Sequence, residues 1–172
     1  GYVAAALLMS YWEQREQASL LRAGLAMPVT HPTESSHYQR LHDRLLKYGL
    51  RQTSWAFSIY FVLRKYKKKI GLGGRLRAHF TWCGVYESLR RGEPVILFGG
   101  VPDPSRPDLP YINHAVLAYG YWEKGADKAL LVHYGWPGQQ AWLLETPFRG
   151  SALFYSPDLT WPEQTPEHSS QE

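Results

Sequence analysis

Hydrophobic and polar positions divide the 172-residue chain into a helix-forming first part and a strand-forming second part. Tyr2 to Arg22 contains neither Gly nor Pro and is rich in Ala and Leu, the strongest helix formers. Its first half is apolar nearly all round, with Val3, Leu7, Leu8, Tyr11 and Trp12 at helical spacing, which predicts a helix buried inside a domain. Gly24 and Pro28 end it. Thr33-Glu34-Ser35-Ser36 then supplies caps for a second helix reaching Tyr48, with Gly49 as its stop. A third helix starts at Thr53-Ser54, turns Trp55, Ile59, Val62 and Tyr66 to the core, and closes on Lys67-Lys68-Lys69 and Gly71. From Arg75 the period changes to two. Leu76, Ala78 and Phe80 alternate with Arg75, Arg77 and His79, the mark of a short strand. Thr81–Arg91 reads as one short helix ended by Gly92. Strands follow at Pro94–Gly99, Ala115–Trp122, Ala129–His133, Ala141–Glu145 and Ala152–Tyr155. Between them lie a loop with four prolines (Pro102 to Pro110), a hairpin at Lys124-Gly125-Ala126-Asp127 and a turn at Trp136-Pro137-Gly138. Helices first and strands second predict an α+β fold rather than alternating βαβ units. One domain over residues 1–156 and a disordered Pro-, Ser-, Glu- and Gln-rich tail over 157–172 account for the whole chain.

Composition changes this picture little. Apolar residues at 44% and charged residues at 20% are ordinary globular usage. The single cysteine, Cys83, excludes an internal disulfide and any zinc site that needs two thiolates. Every apolar run is interrupted well short of the roughly 20 residues of a membrane span. A net charge of +4 is too mild to require a nucleic-acid partner. The start at Gly1-Tyr2-Val3, with no initiator Met or signal peptide, suggests that processing or truncation has removed what preceded it.

The densest chemistry lies in Asn113–Tyr121 and Leu130–Gly138. His114 opens one strand after the proline loop, and His133 closes the next at a Gly-rich turn. In an antiparallel hairpin both would sit at the same open end. One imidazole could then orient the other, as the third member of a triad does. Equally, each is an edge-strand histidine with its polar tip in water. No metal-ligand spacing is present, and His37 and His42, five apart, do not share a helix face. Cys83, near a short helix, is either a second choice of nucleophile or a buried structural thiol. The run Arg64–Lys69 with Arg75 and Arg77 offers an anionic-surface or nucleic-acid site with Tyr66 for stacking, or simply a solvated helix end. Gly71-Leu72-Gly73-Gly74 shares only its glycines with a phosphate loop. Trp12, Trp55, Trp82 and Trp142 read as core aromatics.

The combination His114-Ala115-Val116 with Gly120-Tyr121, then Val132-His133-Tyr134-Gly135-Trp136-Pro137-Gly138, resembles the C-terminal half of papain-like cysteine peptidases, especially the bacterial bacteriocin-processing and streptopain-like branches. Gly92-Glu93-Pro94-Val95-Ile96-Leu97 resembles the strand that precedes the base in that family. Gly1 to Trp12 resembles its nucleophile helix, with the nucleophilic cysteine falling immediately before Gly1. The resemblance covers Gly1 to about Leu153. It implies a papain-like α+β fold in which the long N-terminal helix packs on an antiparallel sheet or half-barrel. It makes His114 the general base and acid, with His133 where the family has Asn, orienting it through one tautomer. Trp136 would pack beside the base. The substrate would be a peptide or protein, with no cofactor and no metal, and the location secreted or cell-surface. Without its thiol this chain is expected to be inert. The alternatives are a non-catalytic papain-like module that binds peptide or protein, and a basic surface-binding domain built on Arg64–Arg77.

Overall fold

A computed structural model of the chain describes residues 1–15, 42–49, 55–103, 108, 111–135, 142–145 and 150–158. Three helices are named here: α1 (Tyr2–Arg15), α2 (Ala56–Ile70) and α3 (Val85–Arg90). The strands are β1 (Arg75–His79), β2 (Val95–Val101), β3 (Ile112–Lys124), β4 (Asp127–His133), β5 (Trp142–Glu145) and β6 (Gly150–Ser156). They form one six-stranded sheet in the order β1-β6-β2-β3-β4-β5, antiparallel at every pairing. The architecture is α+β, with all five strands expected after Gly92 in place and the hairpin closing at Lys124 opposite Asp127.

Side-chain alternation gives the sheet two buried faces. Ile96, Phe98, Ala115, Leu117, Leu153 and Tyr155 pack with α1 and α2 on the first. Val95, Leu97, Val116, Ala118, Ala152 and Phe154 pack with Val85 and Leu89 of α3 on the second. The central part of α1 is buried all round, from Ala4 through Met9, as its uniform hydrophobicity requires. Trp12 donates its indole N–H to the Tyr155 carbonyl at 3.1 Å, and Tyr11 reaches the Gly92 carbonyl at 3.1 Å. These bonds give both side-chain donors a backbone acceptor outside α1. The remainder of the expected first helix, residues 16–22, lies outside the described residues, as does most of the second. Residues 42–46 of the latter are helical and turn at Lys47 and Tyr48, before Gly49.

In α2, Ile59, Val62, Leu63 and Tyr66 are buried, while Gly71 ends the helix at φ 72°. Two expectations fail here, and one alternative closes because Tyr66 is turned to the core as expected. Trp55 is 59% exposed because it is the N-cap and precedes the buried stripe; its backbone N–H is capped by Ser58 Oγ at 3.2 Å. Phe80 falls one residue beyond β1, so alternation no longer turns it inward; it is 78% exposed. Tyr66 is buried and offers no stacking face to a nucleic acid. The Gly71–Gly74 loop uses its carbonyls inside the protein, accepting from Tyr155 Oη at Gly73 (3.0 Å) and from Lys67 Nζ at Gly74. Lys67 itself is only 8% exposed and lies over the Tyr155 ring, 4.5 Å from its centroid.

Candidate functional site

β3 places His114 one turn of the ladder from its start, opposite Gly99 of β2, with Asn113 opposite Gly100. Gly99 thus places no side chain across the ladder from the imidazole, whereas Gly100, on the other face, meets Tyr111, whose Cβ lies 3.5 Å from where a Cβ on Gly100 would stand. Gly99 has φ 149°, a conformation side chains rarely adopt, and Gly150 lies on its other side. A Cβ on Gly150 would fall on the Phe98 carbonyl, so the β2 and β6 backbones approach closely there.

His114 Nε2 lies 3.0 Å from the Tyr134 carbonyl oxygen. A carbonyl only accepts, so Nε2 carries the proton and Nδ1 is the basic nitrogen of the neutral ring. The imidazole stacks on the Tyr134 ring at 6.1 Å and 12°. Tyr134 is fixed in turn by its hydroxyl, which donates to the Pro102 carbonyl at 2.8 Å. Burial lowers the His114 pKa; the Tyr134 carbonyl raises it, the Gly1 amino group lowers it and the Asp103 carboxylate raises it, in that order of size. The imidazole therefore feels an acid in the proline loop as well as its carbonyl partner. The Gly1 amino group is itself desolvated, its pKa down to about 5. Burial, reinforced by Asp103, pushes the Tyr134 phenol up to about 12.

His133 has a different task. Its Nδ1 accepts the Gly135 N–H at 2.9 Å, and burial lowers its pKa. Register explains why it does not serve His114 as expected. His133 pairs with Leu117, so it shares the first face, whereas His114 stands in line with Val116 and Ala118 on the second. An odd separation along β3 puts the two imidazoles on opposite sides of the sheet. The acceptor at Nε2 is the Tyr134 backbone instead. The turn that His133 braces packs on the first turn of α1: Gly135 has φ 82°, and a Cβ there would collide with Val3 Cγ1.

Asp103 and the Tyr134 carbonyl escaped the sequence reading. The only signals were an acid between two prolines just ahead of the histidine strand, and a turn beginning one residue after β4. Cys83 is exposed rather than buried, ahead of a six-residue helix whose N-cap is Gly84 at φ 82°. Trp136 and the Trp142 side chain lie outside the described residues. Trp82 is half-buried and donates to the Ser151 carbonyl at 3.1 Å. Among the described residues no cluster of three His, Cys, Asp or Glu could hold a metal ion, and no helix is long and apolar enough to cross a bilayer. His42 meets Asp43 at 3.6 Å and the edge of Tyr2. Compared with known family models, curated proteins and solved structures, the chain matches none.

Proposed function

We propose that the chain is the body of a papain-like cysteine peptidase or amidase resembling the bacteriocin-processing class, with His114 as general base and acid. The observation that carries this reading is the tautomer of His114: the Tyr134 carbonyl holds the proton at Nε2, which makes Nδ1 the basic nitrogen. A thiol on the residue preceding Gly1 would sit at the positive end of the α1 dipole, which favours the thiolate. His114 would take the thiol proton at Nδ1, and the thiolate would attack the substrate carbonyl carbon. Collapse of the tetrahedral adduct breaks the C–N bond as His114 returns the proton to the leaving amine. Water then cleaves the thioester by the same route in reverse. In this reading the Tyr134 carbonyl orients the base and Asp103 favours the imidazolium. The Gly99–Gly150 cross-strand pair, on the same face as His114, is the floor along which an extended peptide lies. His133 holds the turn against α1.

Extending the chain by one cysteine before Gly1 tests the proposal. Alkylation by iodoacetamide is expected to persist well below the ordinary thiol range of about pH 8.5. His114→Ala in that extended chain should return alkylation to the ordinary range and lower hydrolysis of a fluorogenic peptide amide by about a hundredfold or more. A thiol indifferent to His114 would overturn the catalytic assignment. The glycine pair beside His114 would then favour the second reading, a module that binds peptide or protein without turnover.

A further inference from the structure

The outer face of α2 is neither core nor part of the histidine site. Phe57, Phe61, Arg64, Lys65 and Lys68 follow one another at helical spacing along it, aromatic at the N-terminal end and cationic at the other. Phe61 is 53% exposed, and Trp55 and Phe80 extend the aromatic end. The rings touch: Phe57 lies 4.6 Å from Phe80 and 6.0 Å from Trp55. Arg64, Lys65 and Lys68 are exposed, α2 contains no acidic residue, and none of the three cations has an ion pair among the described residues.

We propose that this face docks on an anionic lipid bilayer, with Trp55, Phe61 and Phe80 entering the headgroup region and Arg64, Lys65 and Lys68 meeting lipid phosphates. Aromatic side chains favour the membrane interface, and long cationic side chains reach from an apolar surface to charged headgroups. The sequence of the two features along one helix fits a bilayer, which offers an apolar depth and an anionic surface side by side. A second copy of the chain is a poor occupant, because the face would set cations against cations. Single-stranded nucleic acid asks for aromatics interleaved with cations, and the interleaved ring, Tyr66, is buried.

Co-sedimentation of the full chain with phosphatidylcholine–phosphatidylserine vesicles, against phosphatidylcholine alone, tests the proposal. Binding is expected only with the anionic lipid and should weaken as salt rises. Lys65→Ala with Lys68→Ala should weaken it roughly tenfold or more. Phe61→Ser with Phe80→Ser should do so to a similar degree, with the thermal melt of each variant nearly unchanged because these positions are exposed. Equal binding to neutral vesicles would overturn the proposal. So would full retention by either double variant, no binding to either vesicle, or displacement of the chain from vesicles by a short single-stranded DNA. Self-association through the same residues in sedimentation velocity would assign the face to a second copy instead.

Discussion

Among the described residues, different elements cover the two faces of the sheet. On the first, α1 and α2 lie over β2, β3, β6 and β1, and the core runs from Tyr2 to Tyr66 without a gap in hydrophobic contact. On the second, the six residues of α3 cover the centre, while β1 lends Arg77 and His79, whose side chains rest on Phe154 at 5.2 and 5.0 Å. The first face holds His133, whose ring is used inside a turn, and the second holds His114, across the ladder from Gly99. Register thus separates a bracing imidazole from one held by a backbone carbonyl, although the two are close along the hairpin.

Truncation should cost more in the long buried α1 than in the six-residue α3. Leu8→Ala, in the all-buried run of α1, is expected to cost about 3–5 kcal/mol in urea unfolding, and Leu89→Ala on α3 about 2 kcal/mol. Equal losses would erase the distinction. Gly135→Ala should follow at about 2–3 kcal/mol, combining left-handed backbone with the clash on Val3. Because the clash is with one side chain, Val3→Ala should recover about 1 kcal/mol of that loss in a double-mutant cycle. Recovery of nothing would detach the His133 turn from α1.

Both histidines have folded pKa values below the unfolded value of about 6.5, chiefly through burial. The unfolded chain therefore binds protons first as pH falls. Stability is complete above about pH 6.5 and is lost on the order of 1 kcal/mol per pH unit per histidine below it, until the folded-state pKa is passed. His133→Gln should remove one share of that slope, read from urea midpoints across the acid range. The smallest effect expected is electrostatic. Asp103→Asn should lower the His114 pKa further, followed by NMR of the imidazole Cε1–H, because the carboxylate is one of the two groups that raise it. An upward shift would remove Asp103 from the site.

Elements with strong periodicity were legible in the sequence. The uniform apolarity of α1, the Gly71 stop and the alternation in β1 each follow from one local rule, and each stands where expected. Failures occurred at ends, where periodicity stops deciding: Trp55 became a cap, Phe80 slipped past the strand, and Cys83 stood exposed ahead of its helix. The site was half legible. His114 at a strand opening after a loop was a sequence signal, but its partner depends on the register between β3 and β4, a non-local quantity. Parity in that register decided that Tyr134 and not His133 receives its N–H. A backbone carbonyl, moreover, has no signature in a list of side chains.

Lys67 turns inward from a run whose neighbours, Lys65, Lys68 and Lys69, all face water. Amine-reactive labelling of the native protein should therefore modify three of these four lysines and spare the one whose Nζ is engaged at Gly74, a pattern that mass spectrometry resolves peptide by peptide. The spared amine becomes a built-in reporter of the seam between α2 and β6. Any variant, ligand or membrane contact that pries the helix from the sheet would be registered as the late appearance of label at that single position.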